Sequence, residues 1–553
     1  MSRGRRACVL FGSALLLGQF AGCGGRPPVF TEEPPVTRID DERNVAEPDE
    51  HEFWRMRHHI HSFGAEQLRQ RLDPVPAGPA EDVNRLGKVP DSSWFTNRIE
   101  HLSSQELRAG PGGGDSGPED FRPWTIVGMK SGGRNPGFVF ADTRGRRYIC
   151  KFDKVGAPVI ATAAGPVAAR LLWALGYFVP DDRAVFFERG DLVIGADAEA
   201  DDGFGGRRPV TDADIDGLLA GVPALQADGS YRALASAFLE GKPVGGYAYW
   251  GTRKDDLNDT IPHQNRRSLR ALRVFGAWLN HVDLKIDNTL DLYVEEEGRR
   301  FLRHYLVDFD GCLGGYWAAR HEPRIGYAYD LDLGELVTGV PRLGLRDRIW
   351  ENLGEPEHEL VGLYEAELYD PAAWRPNYLN AQVSAARPAD EFWAGLVLSQ
   401  LSDEHIEAAV ELARLGESGA ERVLERVLIQ RRDKTVDWAL RQVTPVIDLA
   451  DPIAEAGHLR LSAMDALVKA GRPSDLRFSA ELLNREGRSL GGLTQEATQP
   501  GLVVPADRVA GEDYFVVRWL AHDARGRVLP STEAHYLRAE TAWKLVGILR
   551  DGQ

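Results

Sequence analysis

Short runs of alternating hydrophobic and polar positions between residues 124 and 195 predict a small antiparallel sheet that one helix interrupts. Five strand patterns are separated by turns, at 124–127, 137–142, 147–152, 184–187 and 191–195. The stretch 160–177 is instead rich in Ala and Leu and has Gly176 near its end, which predicts a helix. These elements together indicate a fold of the α+β class.

Helical periodicity dominates the middle of the chain, from residue 213 to about residue 443. The clearest pattern covers 401–415, where Ser402 is a candidate N-cap and Gly416 follows the last periodic residue. A second helix is predicted over 420–442. We therefore expect a mainly helical region after the first sheet.

Strand patterns return in the last hundred residues, at 476–483, 514–521, 535–540 and 543–549. The segment 514–519 alternates in the way that a sandwich strand does. We expect a small β-sandwich of the immunoglobulin or fibronectin type III kind over 475–553. It contains no residue pattern that indicates chemistry.

The first residues form an export signal: a charged start, an apolar run over 7–21 and small residues before Cys23. The run is shorter than the roughly 20 residues of a spanning helix, so a membrane anchor is the weaker alternative. The sequence Phe20-Ala21-Gly22-Cys23 resembles a bacterial lipobox, although Phe20 stands where Leu is usual. The resemblance implies a signal peptide over 1–22 and a lipid on Cys23.

The lipobox implies a lipid-anchored protein of the bacterial cell envelope that contacts the membrane through its N-terminal lipid only. Gly24 in place of Asp favours the outer membrane, facing the periplasm or the surface. Residues 23–50 are rich in Pro, Glu and Asp and predict a disordered tether. An N-terminal extension is expected over 51–120, with a short helix at 51–71.

The charge and cysteine content narrow the function. Removing residues 1–22 takes away Arg3, Arg5 and Arg6 and moves the formal charge from −17 to −20. Such an acidic chain is not expected to bind nucleic acid. Only Cys150 and Cys312 remain in the body. Two buried thiols are favoured over a bridge between them, and no spacing indicates zinc.

Four segments carry the candidate chemistry, and their order along the chain is what makes them informative. The first two are a glycine-rich turn, Ser131-Gly132-Gly133-Arg134-Asn135-Pro136-Gly137, and a strand with a lysine, Tyr148-Ile149-Cys150-Lys151-Phe152. The third is a loop with charged and polar residues, His281-Val282-Asp283-Leu284-Lys285-Ile286-Asp287-Asn288. The fourth is an acidic segment that follows a predicted hairpin, Leu306-Val307-Asp308-Phe309-Asp310-Gly311. Each segment alone is weak, because any hairpin favours glycine and most strand lysines face solvent.

This order resembles the protein-kinase superfamily, with H-x-D-L-K-x-x-N as the catalytic loop and D-F-D in the place of D-F-G. It looks closer to the HipA, CotH and secretory-pathway types than to signalling kinases. The resemblance implies a bilobal kinase-like core, with an N-lobe over 121–200 and a helical C-lobe over 201–450. The run 251–256 also resembles blocks in uncharacterised bacterial lipoproteins, which implies no activity.

The resemblance implies ATP or another nucleotide as ligand, with Mg²⁺ or Mn²⁺. Lys151 would steady the α- and β-phosphates, while Asn288 and Asp308 would hold the metal. Asp283 would accept or orient the proton of the acceptor hydroxyl, and Lys285 would face the transferred phosphate. The turn glycines would let backbone amides approach the phosphates: Gly132, Gly133 and Gly137. The acceptor is an unidentified protein or small molecule.

One departure from the kinase pattern leaves two functions open. Residues 152–187 contain no glutamate, and Gly165-Pro166 falls where the partner of the strand lysine is sought. Lys151 would then be steadied by Asp153, Asp310 or another carboxylate, or the pair is lost. The first hypothesis is a metal-dependent phosphotransferase or AMP transferase. The alternative is a catalytically inactive, pseudokinase-type binding or scaffold lipoprotein.

Overall fold

A computed structural model describes residues 29–51 and 78–550, apart from 115, 134, 224, 225, 227, 317, 318, 321, 331–347 and 541. The predicted signal peptide, Cys23 and nearly all of the predicted helix over 51–71 lie outside these residues. Within them, no helix has both the length and the apolar character required to span a membrane.

The described residues form twenty-two strands and ten α-helices. The strands are β1 Trp124–Met129, β2 Gly137–Ala141, β3 Arg147–Lys151, β4 Asp182–Phe187, β5 Leu192–Asp201, β6 Arg207–Pro209, β7 Tyr231–Ala237, β8 Lys242–Pro243, β9 Thr289–Glu296, β10 Arg299–Leu306, β11 Gly315–Tyr316, β12 Ala319–Arg320, β13 Val446–Ile447, β14 Ile453–Glu455, β15 His458–Leu461, β16 Met464–Asp465, β17 Arg477–Asn484, β18 Ser489–Ala497, β19 Leu502–Pro505, β20 Tyr514–His522, β21 Thr532–Ala539 and β22 Ala542–Arg550. The helices are α1 Ser104–Ala109, α2 Ile160–Ala174, α3 Asp212–Ala220, α4 Arg267–Arg270, α5 Leu272–Leu279, α6 Ala381–Ser384, α7 Pro388–Leu398, α8 Asp403–Glu411, α9 Ser418–Leu440 and α10 Ala466–Lys469.

The first sheet has seven strands in the order β4-β7-β3-β2-β1-β5-β6. It therefore continues past residue 200, where the sequence placed the end of the N-lobe. Strand β7 pairs with β3 on one side and β4 on the other. Local alternation predicted five of these strands, but it missed β6, and β7 falls within the stretch that was predicted to be helical from residue 213. The distant strand that pairs with β3 depends on tertiary contacts that local alternation does not reveal.

Aromatic side chains form the core on one face of this sheet. Trp124, Phe138 and Phe140 lie on neighbouring strands, and Trp124 stacks on Phe140 with ring centroids 4.2 Å apart. Helix α3 closes this face with Ile215 and Leu219. The core holds β1, β2 and β3 in one rigid unit, and this unit presents the glycine turn and Lys151.

Helix α2 packs against β4 and β7, and almost all of its side chains are buried. Its small Ala and Gly residues allow this close packing. Pro166 has no amide hydrogen for the carbonyl of Thr162 one turn before it. The buried guanidinium of Arg232 donates to that carbonyl at 3.4 Å and to Thr162 Oγ1 at 2.9 Å. A strand arginine therefore stabilises the helix where proline interrupts its own bonding.

The helical region is built around α9, which packs against α5, α7 and α8. The guanidinium of Arg431 on α9 donates to the carbonyls of Ala277 at 2.7 Å and Trp278 at 3.0 Å, near the end of α5. Helical structure is less continuous than the periodicity predicted. The hairpin of β9 and β10 follows α5, and it carries the candidate site residues at its two ends.

The C-terminal strands lie close to where the alternation placed them, in a five-stranded antiparallel sheet of order β18-β17-β20-β21-β22. Strands begin earlier than residue 475, at Val446. The inner face of the sheet, with Phe515 and Trp519, shares one hydrophobic core with α7 and α9. The region is thus less separate than the predicted 475–553 unit, because its apolar face is covered by the helical region.

Residues 29–51 pack along the body, which differs from the disordered tether predicted over 23–50. The carboxylate of Asp41 is buried and accepts from the Ser93 amide at 3.0 Å and the Ser93 hydroxyl at 2.9 Å. The ring of Phe30 meets His535 edge-on at 5.0 Å. Composition suggested a solvated chain, but its carboxylates find donors that only the folded body provides.

Candidate functional site

The loop that carries Asp283 begins where helix α5 ends. Asn280 has a left-handed backbone (φ 51°), and the amide of His281 donates to the carbonyl of Gly276 at 2.8 Å. This is a common way to end a helix and reverse the chain. The carbonyl of Val282 then accepts from the amide of Asn377 at 2.9 Å. The loop is therefore held at both ends of its first turn.

Asp283, Lys285 and Asn288 form one hydrogen-bonded group. Asp283 Oδ2 accepts from Lys285 Nζ at 2.7 Å and from Asn288 Nδ2 at 3.1 Å. Asn288 Nδ2 also donates to the Asp283 carbonyl at 2.9 Å. Asp283 Oδ1 is buried and finds no hydrogen-bond partner among the described residues. One oxygen thus fixes the carboxylate, while the other keeps its accepting capacity.

The hairpin brings Asp308 to this group. Thr289 on β9 lies opposite Leu306 on β10, and the amide of Val307 donates to the carbonyl of Asn288 at 3.0 Å. Asn288 and Asp308, twenty positions apart, are therefore held together at the open end of the hairpin. Asp308 itself has a left-handed backbone (φ 66°) and 37% of its side chain exposed.

Lys151 joins the two halves of the site. Its ammonium lies 2.6 Å from Asp308 Oδ1 and 3.7 Å from Asp310 Oδ2. Asp310 was one predicted partner and is confirmed as such. The alternative, Asp153, is wrong, because Asp153 caps helix α2 by accepting from the amides of Ala161 and Thr162 at 2.8 and 3.1 Å.

The charges in this cluster shift one another's pKa. Burial by itself lowers the pKa of Lys151, but Asp308 and Asp310 outweigh it and raise that pKa above its usual value. For Asp308 burial acts upward, and the nearby Lys151 ammonium reverses it, so its pKa is lowered. The pKa of Asp310 is raised by burial and by the charge of Asp308.

The glycine turn lies over Lys151 and is tied to the same carboxylates. Gly132 and Gly133 have positive φ angles of 76° and 72°. Gly137 lies opposite Lys151 across β2 and β3, and a Cβ on Gly137 would come within 1.9 Å of the Cys150 carbonyl oxygen. Asn135 Nδ2 donates to Asp310 Oδ2 at 2.8 Å. The turn therefore closes onto the acidic segment.

His281 and Phe309 form the buried floor behind the polar groups. Their rings lie 5.7 Å apart, and both side chains are almost fully buried. Burial lowers the pKa of His281 to about 4, so the imidazole is neutral near pH 7. An apolar floor of this kind strengthens the electrostatic interactions of the groups above it.

Five residues singled out from the sequence thus come together where the first sheet meets the β9–β10 hairpin, in a cluster that we call the cleft, with the turn glycines beside them: Lys151, Asp283, Lys285, Asn288 and Asp308. Sequence reasoning missed Lys130, whose ammonium donates to the carbonyls of Gly132 at 2.7 Å and Asn135 at 3.2 Å. It also missed Asn135 and Asp182. Only Asn135 had a signal, since it lies within the glycine-rich turn.

The side chains around Asp308 offer few ligands for a metal ion. No group of three or more His, Cys, Asp or Glu side chains in the described ranges is placed to hold one. Asp308 and Asn288 nevertheless offer a carboxylate and an amide at adjoining positions. Mg²⁺ commonly binds to one or two protein ligands and completes its shell with substrate phosphates and water. The residues therefore fit an ion that arrives with a nucleotide.

Two other features lie apart from this chemistry. Cys150 and Cys312 are buried free thiols, as favoured from the sequence. A cavity of about 950 Å³ lies in the helical region, lined by residues that include Leu353, Glu365 and Arg426. None of the candidate site residues lines it.

Comparisons with known proteins give little. No family model matches the chain, and no curated protein matches it. Among solved structures, a Golgi casein kinase is similar over 74% of this chain and 96% of its own, at 10% identity and a TM-score of 0.23. A score this low does not define a shared fold.

Proposed function

We propose that this chain is a kinase-like, metal-dependent phosphotransferase, or an AMP-transferring relative, anchored by a lipid on Cys23 in the bacterial envelope. The observation that carries the proposal is the 2.6 Å contact between Lys151 and Asp308 beside the Asp283–Asn288 pair. The candidate residues lie close together in space, although they come from a strand, a loop and the end of a hairpin, and this proximity supports the proposal.

Each residue has a role that suits transfer of a phosphoryl group. Asp308 and Asn288 would hold Mg²⁺ or Mn²⁺, which would neutralise phosphate charge. The ammonium of Lys151 would bind the nucleotide phosphates, and the amides of Gly132 and Gly133 would approach them from the turn.

The acceptor would lie over the loop that begins at His281. Asp283 Oδ1 would take the proton of the acceptor hydroxyl as its oxygen bonds to phosphorus and the bond to the leaving nucleotide breaks. Lys285, held 2.7 Å from Asp283 Oδ2, would face the transferred group and stabilise its charge. In AMP transfer the acceptor oxygen would instead bond to the α-phosphorus, and the bond between the α- and β-phosphates would break, with pyrophosphate leaving.

The alternative is a kinase-shaped binding or scaffold protein, and one observation favours it. The ammonium of Lys151 contacts the carboxylates of Asp308 and Asp310. A metal ion at this position would need the same oxygen atoms. Helix α2 supplies no carboxylate in their place. If this ion pair is permanent, the cleft holds no nucleotide and the envelope partner binds elsewhere.

Thermal unfolding of the full-length chain in mild detergent separates the two. ATP, GTP and AMP are added in turn, each with Mg²⁺ or Mn²⁺, to the native chain and to the Lys151→Ala and Asp308→Ala variants. A ligand at about 100 times its Kd stabilises the native state by roughly 2.7 kcal/mol. We expect a metal-dependent rise in Tm that both variants lose.

Lys154→Ala is the matched control, since Lys154 lies three residues beyond Lys151 and outside strand β3. It should respond to nucleotide as the native chain does. A native chain whose Tm is unchanged by every nucleotide and metal pair would contradict the enzyme and favour the binding protein.

A further inference from the structure

The proposed function requires the ammonium of Lys151 to have a negatively charged partner when a metal ion binds at Asp308. The Lys151 side chain is only 12% exposed, and its contacts with Asp308 and Asp310 balance its charge. A divalent ion bound to Asp308 would repel the ammonium and compete for the same oxygens. A buried ammonium that loses its anion is costly, so the ammonium needs another carboxylate within reach.

Two other carboxylates, one close to Lys151 in the sequence and one next to Asp182, are already engaged. Asp153 spends its oxygens on the start of helix α2, including the hydroxyl of Thr162 at 2.6 Å. Asp181 binds Arg170 at 2.9 Å and Arg183 at 2.8 Å. Neither can turn to Lys151 without leaving a buried cap or a buried guanidinium unsatisfied.

Asp182, the first residue of β4, is different. It is 4% exposed, and its Oδ1 lacks a hydrogen-bond partner in the part of the chain that the structure describes. Its carboxylate is also bonded by Ser236, the residue opposite it on β7. Burial raises the pKa of Asp182 to about 7, and the charge of Lys151 acts in the opposite direction. The strand register sets Lys151 opposite Leu234 and Asp182 opposite Ser236, two positions apart on β7, so the two side chains lie on the same face of the sheet.

Gly165 explains why this carboxylate comes from a strand. A Cβ on Gly165 would lie 3.0 Å from Leu234 Cδ2 and 3.7 Å from Asp182 Oδ2. Leu234 is the residue of β7 that lies opposite Lys151. Helix α2 thus approaches β7 and β4 so closely at this point that even a Cβ would require Leu234 to shift, and Asp182 lies where the helix carries no side chain.

We propose that Asp182 is the positioning residue that takes over the ammonium of Lys151 when a metal ion binds at Asp308. Asp182 would pair with the ammonium of Lys151, as a helix glutamate pairs with the strand lysine in protein kinases, and Asp308 would be free to bind the ion. Lys151 then exchanges one anion for another without being left unpaired in the buried cleft. This inference rests on the proposed function only for its nucleotide, since metal alone should cause the exchange.

The test measures the affinity of the full-length chain for Mn²⁺ alone, and then for ATP with and without Mn²⁺, by titration calorimetry. Asp182→Asn keeps the shape of the side chain and removes its charge. We expect it to weaken Mn²⁺ binding and Mn·ATP binding by at least about tenfold, or 1.4 kcal/mol. ATP without metal should bind as before, because Lys151 then stays on Asp308.

The neighbouring Asp181→Asn is the matched control. Since Asp181 contacts two arginines, this change should lower Tm but leave Mn²⁺ affinity within about twofold. Asp182→Ser is a second neutral variant and should reproduce the loss if Asp182→Asn does not fold. Asp182→Glu, which keeps the charge, should recover part of the affinity.

Every outcome decides between the two ideas. If Mn²⁺ binds and Asp182→Asn weakens it while ATP never binds, the exchange stands and the nucleotide proposal falls. If Mn·ATP binds equally well to the native chain and to Asp182→Asn, the exchange is wrong and the phosphotransferase stands. A native chain that binds neither Mn²⁺ nor ATP overturns both.

Discussion

Two buried clusters of charge in this molecule are built differently. In the helical region, Asp390 accepts from Arg267 at 2.8 Å through one oxygen and from Arg270 at 3.0 Å through the other. The amide of Arg387 adds a third bond at 3.1 Å. In the cleft, Asp283 Oδ1 and Asp182 Oδ1 are equally buried, yet no described residue donates to either.

The difference lies in the carboxylates and not in the guanidinium groups, since Arg267 Nη2 is also buried without a partner among the described residues. Buried polar atoms in native proteins are nearly always hydrogen-bonded, so those that are not require an explanation. At Asp390 every oxygen is used, and the cluster joins α4 to α7. At Asp283 and Asp182 one oxygen each is unused in the part of the chain that the structure describes. We interpret the unused capacity as room for a metal ion, a proton and a displaced ammonium.

The largest effect should come from breaking the structural cluster. Asp390→Ala leaves two buried guanidinium groups without their carboxylate, and removing one partner of such a pair costs about 3–5 kcal/mol. We expect a corresponding loss in the free energy of unfolding, measured by urea denaturation. Glu411→Ala is the control, because it removes an exposed pair with Arg108 and should cost less than about 1 kcal/mol. Equal costs would refute the distinction.

Removing Asp283 should lower stability less than removing Asp390 does, and it should abolish the proposed phosphotransfer. Asp283→Ala leaves Lys285 Nζ and Asn288 Nδ2 without the oxygen to which they donate, so the free energy of unfolding should fall by about 1–3 kcal/mol, less than for Asp390→Ala. Loss of a general base typically lowers the rate by about 10²–10⁴-fold. Nucleotide-dependent stabilisation should remain, since Lys151 and Asp308 are intact. A variant that unfolds readily but keeps its rate would place Asp283 in the structural class.

The smallest effect concerns the floor of the cleft. Burial lowers the pKa of His281 to about 4, from about 6.5 in an unfolded chain. The unfolded state therefore binds more protons between these values, so stability present above pH 6.5 is lost as the pH falls towards 4. His281→Gln should flatten this part of the curve of unfolding free energy against pH. Native and variant curves that run parallel from pH 6.5 to 4 would show that His281 does not titrate there.

Local patterns predicted the strands around the site well. The strand expected over 147–152 is β3, and the helix expected over 160–177 is α2, three residues shorter. The order of the four candidate segments placed Lys151 and Asp308 in one site, but it did not predict that their side chains pair across 157 positions of sequence. What local patterns could not supply was the partner strand β7, which comes eighty positions after β3. Pairing over such a distance depends on the whole core.

By itself the sequence determined the elements and the chemistry available to them: alternating strands, an Ala-rich helix, and carboxylates and lysines in a particular order. Only the tertiary structure decided which carboxylate serves which cation. Asp153 went to the helix start, Asp181 to two arginines and Asp310 to Lys151. Asp182 kept a free oxygen within the described part of the fold. The physical reason is that the pairing of buried charges depends on distances of a few ångströms between elements remote in sequence.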